Sequence, residues 1–263
     1  MKIGFSTSPK PCEEYFQFAF DNGFDRVDLG CSAPPNFPHT FTKERIERVK
    51  ELGKKYNMPY GLHSSSFVNT AELMPKVREA SEQHLLDYIT LSKEIGAEYC
   101  VIHCGYHFSK YKDIVMESLF KTFRPAAKLA EELDLPLVIE NMNVVHEDSE
   151  MVYLGVTIEE LNQVFKEVPS THLGLALDIG HAALLPGGVE SWIEAFPEKI
   201  FHLHLSDNDG VLDQHLPIGD GDIDFQASFD ALKSVGFTGT ATLEVGAEEN
   251  KLKSLKYLKT LQL

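Results

Sequence analysis

An α/β fold, a single (β/α)8 barrel running over residues 1–263, is the architecture this sequence predicts. Eight short apolar segments recur along the chain, each followed by an amphipathic stretch of helical period. Alternating strands and helices pair in parallel through right-handed crossovers, and eight such units close on themselves at a length near 250 residues. A doubly wound open sheet is the competing architecture. No G-x-G-x-x-G turn follows the first segment, where a dinucleotide-binding sheet would carry one.

The strands expected are Ile3–Ser6, Arg26–Leu29, Tyr60–His63, Tyr99–His103, Leu137–Glu140, Leu173–Asp178, Ile200–Leu205 and Thr240–Glu244. After the second strand, TKERIERVKELGKKYN (42–57) places Ile46, Val49 and Leu52 on one helical face. SEQHLLDYITLSKEIG (81–96) does the same with Leu85, Tyr88, Ile89 and Ser92. Stop signals sit where helices should end: Asn22-Gly23, Gly96, Asp134 before Leu135-Pro136, and Gly236. Asp224 reads as the N-cap of the last helix but one. Trp192 and most phenylalanines read as core, and no low-complexity tract marks a domain boundary.

Composition narrows the function. Twenty-four Lys plus Arg against 40 Asp plus Glu leave a net charge of −16, which speaks against binding a bulk polyanion through its phosphates. The four cysteines form no C-x-x-C pair and read as buried reduced thiols. MKIGFS enters a strand without a basic and then apolar leader, and no apolar run approaches a membrane span. The expectation is a cytoplasmic protein with no membrane partner; a homo-oligomer is compatible with the sequence.

The chemistry collects at the strand ends. The third to sixth strands end in His63, His103, Glu140 and Asp178; the seventh carries His204 and the eighth ends in Glu244. In a barrel these ends converge on one mouth. Period-two alternation puts Val138 with Glu140, Gly174 and Ala176 with Asp178, and Thr240 and Thr242 with Glu244 on the inward face. A lone strand-terminal acid or imidazole is usually a solvated end, but six in one layer point to a site. Glu140, Asp178, His204 and Glu244 form the expected primary site for a divalent cation such as Zn²⁺, Mn²⁺ or Fe²⁺, which would relieve repulsion among three carboxylates. His181 lies three residues past Asp178, and Asp213 and His215 follow the seventh strand. His202 reads as a core histidine one layer below His204, His172 as a residue of the far, stability face, and Asp207, Asp209, Asp220 and Asp222 as solvated loop charge. The loop 30–41, rich in Pro and Phe, reads either as an apolar lid at the mouth or as a packing loop.

The ordered segments LHSSSFVN, VIHCG, LVIEN, LALDIGHA, HLHLSDNDG, LDQHLPIGDGDIDF and TLEVG resemble the xylose-isomerase-like TIM barrel superfamily over almost the whole chain. That superfamily joins sugar isomerases and epimerases to endonuclease IV. The resemblance to its ketose epimerases implies one divalent ion (Mn²⁺, Zn²⁺, Fe²⁺ or Co²⁺) held by Glu140, Asp178, His204 and Glu244. Glu140 and Glu244 would also be the acid/base pair of an enediolate mechanism, with His63, His103 and His181 contacting substrate. The resemblance to endonuclease IV implies instead three zinc ions, adding His63, His103, His181, Asp213 and His215 as ligands. The chain departs from both. His63-Ser-Ser-Ser-Phe67 lacks the endonuclease's proline and Tyr–Leu wedge, and LDQH lacks its arginine. Asp209-Gly210 stands where the epimerases carry a substrate-reaching arginine. With the −16 charge, the missing wedge favours an isomerase or epimerase over abasic-site hydrolysis and makes nucleic acid an unexpected partner. Lacking a lysine-bearing phosphate cradle, the chain is expected to take a neutral sugar or polyol.

Overall fold

A computed structural model describes residues 1–108, 110–144 and 149–262. Among them the strands are β1 (Lys2–Thr7), β2 (Val27–Gly30), β3 (Tyr60–His63), β4 (Cys100–Ile102), β5 (Tyr106–Phe108), β6 (Leu137–Glu140), β7 (Met151–Tyr153), β8 (Leu173–Asp178), β9 (Ile200–Leu205) and β10 (Thr240–Leu243). All but β5 and β7 pair in parallel and close a barrel in the order β1-β10-β9-β8-β6-β4-β3-β2. This is the expected (β/α)8 barrel.

The helices are α1 (Tyr15–Asn22), α2 (Lys43–Tyr56), α3 (Pro75–Ile95), α4 (Lys112–Leu133), α5 (Ile158–Glu167), α6 (Ile179–Ala183), α7 (Gly188–Ala195), α8 (Phe225–Ser234) and α9 (Glu248–Leu258). Local chemistry sets their ends. Thr42 accepts from Arg45 N at the start of α2, Thr157 and Glu160 close a capping box on α5, and Asp224 caps α8 as expected. The α3 helix begins at Pro75 rather than 81, because its first turns bury almost nothing and so carry no apolar period.

Two further differences concern strands. His103 and Glu244 lie one residue past β4 and β10, although Glu244 N still donates to Leu205 O at 2.9 Å. The antiparallel β5–β7 ribbon was not expected: three-residue strands paired across 43 positions or more (Phe108 with Met151) leave no periodic trace.

The main core lies between the strands and the helix ring, with Trp192 and the four free cysteines buried. A separate cluster of Tyr99, Val101, Val138 and Ala176 fills the barrel itself. Room for the largest interior groups comes from glycine: a Cβ on Gly61 would stand 2.4 Å from the Tyr99 ring, and one on Gly4 2.4 Å from Arg26. Below the mouth, Tyr99 Oη donates to Asp28 (2.7 Å to Oδ2), Gly61 N donates to Asp28 Oδ1, and Arg26 pairs with the same carboxylate at 3.3 Å. His202 faces Asp28, Thr240 and Thr242 here, the core histidine expected, and burial pulls its pKa down to about 4. His172, at the opposite end of β8, pairs with Asp134.

The loop 30–41 is a packing loop. Asn36 is buried and accepts from Cys12 N, the Arg45 guanidinium lies 4.1 Å from the Phe41 ring centroid, and only Gly30 and Ser32 of the loop reach the mouth cavity. No helix among the described residues is long and apolar enough to cross a membrane.

Candidate active site

Alternation along each strand delivers the expected residues to one place. Glu140 from the end of β6 is the hub: its Oε2 lies 2.8 Å from His103 Nε2 and 3.2 Å from His63 Nε2, and its Oε1 3.0 Å from His204 Nδ1. Glu244 approaches from the other side, with Oε1 3.5 Å from His204 Nδ1 and 3.7 Å from His63 Nε2. Asp178 caps α6 by accepting from His181 N at 2.7 Å, and this places His181 within 3.8 Å of both Asp178 Oδ2 and Glu140 Oε1. Asp213 then stands 3.2 Å from His181 Nε2 and 3.3 Å from His215 Nε2. All nine residues singled out in the sequence therefore meet at the mouth, above a cavity of about 670 Å³.

Three imidazoles share one arrangement. His63 Nδ1 faces Ser64 O at 2.9 Å, His181 Nδ1 faces Asn141 O at 2.8 Å, and His215 Nδ1 faces Glu244 O at 2.5 Å. A carbonyl only accepts, so each Nδ1 carries the proton and each neutral ring turns an Nε2 lone pair toward a carboxylate. Lone pair facing lone pair is tolerable only with a proton or a cation between them. This backbone anchoring is how metal-binding histidines are commonly oriented.

Without a cation, protons fill the gap. Burial opposes charge on His204, yet Glu244 and Glu140 outweigh it and push its pKa up to about 10. His215 rises to about 10 as well, because its bond to Asp213 outweighs burial. Burial, reinforced by the charges of Glu140 and Glu244, lifts Asp178 to about 6. Glu140 stays well below the ordinary carboxylate range, since His204, His103 and His63 together overcome its burial. Even so, Asp178 Oδ2, Asp213 Oδ1, His204 Nε2 and His103 Nδ1 are buried with no hydrogen-bond partner among the described residues.

That donor set fits a divalent cation. Ligand atoms of His63, Glu140, His204 and Glu244 all lie within 4.8 Å of one another, and so do those of Glu140, Asp178 and His181, and of His181, Asp213 and His215. Mixed carboxylate and imidazole donors suit ions of borderline hardness. Asp178 thus sits with Glu140 and His181, while His63 stands beside Glu140, His204 and Glu244 in the place expected for Asp178.

Two positioning residues escaped the sequence reading. Asn141 brackets the Asp178 backbone, its Oδ1 accepting from Asp178 N at 2.7 Å and its Nδ2 donating to Asp178 O, while its own carbonyl holds His181. Asp207 is the clearer correction: expected as solvated charge, it is fully buried. Its carboxylate accepts from Asn208, Gly219, Gly221 and Ile223 N, and its backbone pairs with Leu216. It therefore folds the segment that returns His215 to the mouth in a left-handed conformation (φ 48°). Such a conformation costs a non-glycine residue about 1 kcal/mol. Three of those amides, Gly219, Gly221 and Ile223, belong to one glycine-rich turn, and its glycines were the available signal. Asp209 and Asp222 are exposed, and Asp220 pairs with Lys253 at the surface.

Residues 16–261 match the xylose isomerase-like TIM barrel family, and the chain belongs to it. Among solved structures, that of a D-tagatose 3-epimerase-like protein is 28% identical and superposes with a TM-score of 0.88, covering 99% of this chain and 96% of that one. A fructoselysine 3-epimerase of Shigella flexneri is 24% identical over 89% of this chain and 85% of its own length. A probable endonuclease 4 of Mycobacterium leprae is 26% identical over 84% of this chain and 86% of its own.

Proposed function

We propose that the protein is a divalent-metal-dependent epimerase or isomerase of a ketose or related polyol. The observation that carries this reading is the approach of two carboxylates to one point from strands three places apart: Glu140 on β6 and Glu244 after β10 both reach His204 Nδ1. Inverting a carbon beside a carbonyl needs an acid/base group on each of its faces. The epimerase-like neighbour and the epimerase relative support the same class.

Glu140, Asp178, His204 and Glu244 would hold the ion, which supplies polarisation of the substrate's carbonyl and hydroxyl oxygens. One glutamate takes the proton from the carbon, the C–H electron pair enters the adjoining C–C bond, the carbonyl π pair moves onto its oxygen, and an enediolate results. The other glutamate returns a proton to the opposite face, and the electron pair reforms the carbonyl. His181, its Nδ1 tied to Asn141 O, presents Nε2 to a substrate oxygen, and His63 and His103, which line the same cavity beside Glu140, would contact the substrate as well.

A ketose turned over in deuterium oxide should gain deuterium at the inverted carbon, and Glu140→Gln or Glu244→Gln should abolish that exchange. Exchange surviving both changes would sink the two-glutamate mechanism.

One observation favours a second reading. The His181–Asp213–His215 group, with Asp213 Oδ1 unpartnered, could hold further ions, as a trinuclear zinc phosphodiesterase acting on abasic-site DNA requires. Metal analysis separates the two: one ion per chain supports the epimerase, whereas three zinc ions with incision of an abasic duplex at physiological salt support the hydrolase.

A further inference from the structure

Helix α6 opens on Asp178-Ile-Gly-His181, and its backbone does not explain the glycine. Gly180 lies outside the left-handed region, inside a helix, where glycine is less favourable than any residue except proline. What it provides is room. A Cβ at this position would stand 2.4 Å from Ser206 Oγ and 3.2 Å from Asp178 Oδ1. The chain has left out a methyl group, and a hydroxyl lies in the space beside the Asp178 carboxylate.

Ser206 is fixed in that space. It follows β9 directly, two residues after His204, and is fully buried. Asn208 donates from Nδ2 to Gly180 O at 2.9 Å, and Asp207 gathers the turn that follows through Gly219 N and Gly221 N. Yet Ser206 Oγ has no hydrogen-bond partner among the described residues, and neither has Asp178 Oδ2. A hydroxyl that leaves water without gaining a partner is worse for stability than a methyl group in its place. Packing alone would therefore favour alanine at both 180 and 206. An acceptor is at hand. Asp178 Oδ1 takes a hydrogen bond from His181 N at 2.7 Å, and an ionised carboxylate oxygen has room for a second. Carboxylates that hold a metal are themselves commonly held from behind by hydrogen bonds.

We propose that Ser206 is a positioning residue of the metal site: with a divalent cation bound, its hydroxyl turns to donate to Asp178 Oδ1, which leaves Oδ2 for the ion. Gly180 is the other half of the device, because a side chain there would drive the hydroxyl away. The proposal rests on the metal site of the epimerase reading and not on its proton transfers.

The test reads Mn²⁺ binding by titration calorimetry and urea unfolding of the metal-free protein, on wild type, Ser206→Ala, Gly180→Ala and the double variant. Ser206→Ala should weaken Mn²⁺ binding roughly 10–100-fold while the metal-free urea midpoint stays at or above that of wild type. Gly180→Ala presses a methyl group on the hydroxyl and should lower both the midpoint and the affinity. Adding Ser206→Ala removes that collision, so the double variant should regain the midpoint and keep the weak affinity of Ser206→Ala. A purely structural pair would recover both together. Mn²⁺ binding by Ser206→Ala within about threefold of wild type would overturn the proposal. So would a double variant whose affinity returns with its midpoint, or a Ser206→Ala affinity loss matched by a lowered metal-free midpoint. If Gly180→Ala does not fold, Ser206→Ala decides alone. The outcomes also keep the two ideas apart. Wild-type protein that binds none of Mn²⁺, Zn²⁺, Fe²⁺ and Co²⁺ defeats the metal reading and the proposal with it, whereas tight wild-type binding with Ser206→Ala unaffected defeats the positioning role alone.

Discussion

Two polar layers lie one above the other inside this barrel, built from the same residue types. The His202 and His204 rings that mark them are 5.4 Å apart between centroids. In the lower layer the acid is satisfied within the chain: Asp28 takes Tyr99 and Gly61, pairs with Arg26, and leaves His202 neutral between two threonines, with Arg26 Nε the one buried side-chain atom there that lacks a partner among the described residues. In the upper layer imidazole lone pairs face carboxylates, and four buried polar atoms of the candidate ligands have no partner. The lower layer carries its own counter-ion, an arginine. Among the described residues the upper one carries none. A buried acid needs a counter-charge in either case, and where the chain supplies none, a proton or a cation from solution is what can provide it.

The largest difference should be in the consequence of removing an acid. Glu140→Gln in the upper layer should lower epimerisation at least 10³-fold, about 4 kcal/mol in the barrier, with metal bound as well as without it. Asp28→Ala below should act on stability instead. It leaves the buried Arg26 with only the half-exposed Glu98 as a partner and should cost about 3–5 kcal/mol of stability in urea, with no recovery on adding metal. If Mn²⁺ restored that variant, the two layers would not be independent.

Metal itself should separate them next. At a hundredfold excess over its dissociation constant, Mn²⁺ should stabilise the wild type by about 2.7 kcal/mol in a thermal melt, and Glu140→Gln far less. The effect should grow with pH. His204 and His215 titrate near 10 in the folded, metal-free chain against 6.5 unfolded, so the stability their protons bring is complete below about pH 6.5 and lost as pH rises toward 10. His202 runs the other way: its folded value of about 4 lies below 6.5, so stability held above pH 6.5 is lost as pH falls toward 4. Melting curves across pH should therefore decline on both sides, with Mn²⁺ lifting the alkaline side alone.

The smallest effect expected is Tyr99→Phe. It removes one hydrogen bond to a buried carboxylate and should cost about 1.5–3 kcal/mol of stability. Metal affinity should stay unchanged in that variant, and a loss of affinity would show that the lower layer positions the upper.

Much of this was legible in the chain. Strand ends such as Leu137–Glu140 and Leu173–Asp178 carry period-two alternation that names both the element and the inward residue. His202 was readable as core because it lies two residues from His204 on the same face. Asp207 misled, since a sequence cannot distinguish an acid in a loop from an acid around which a loop folds. The ribbon of β5 and β7 was equally hidden, for it joins segments remote in sequence.

Local periodicity and spacing were thus enough to determine the barrel and to place six acids and imidazoles at the strand ends, because alternation is a property of neighbouring residues. Closure decided the rest: which nitrogen each histidine turns inward, which carboxylate it meets, and which layer is left to take a cation. Those depend on contacts across the barrel, between residues as far apart in the chain as His63 and Glu244.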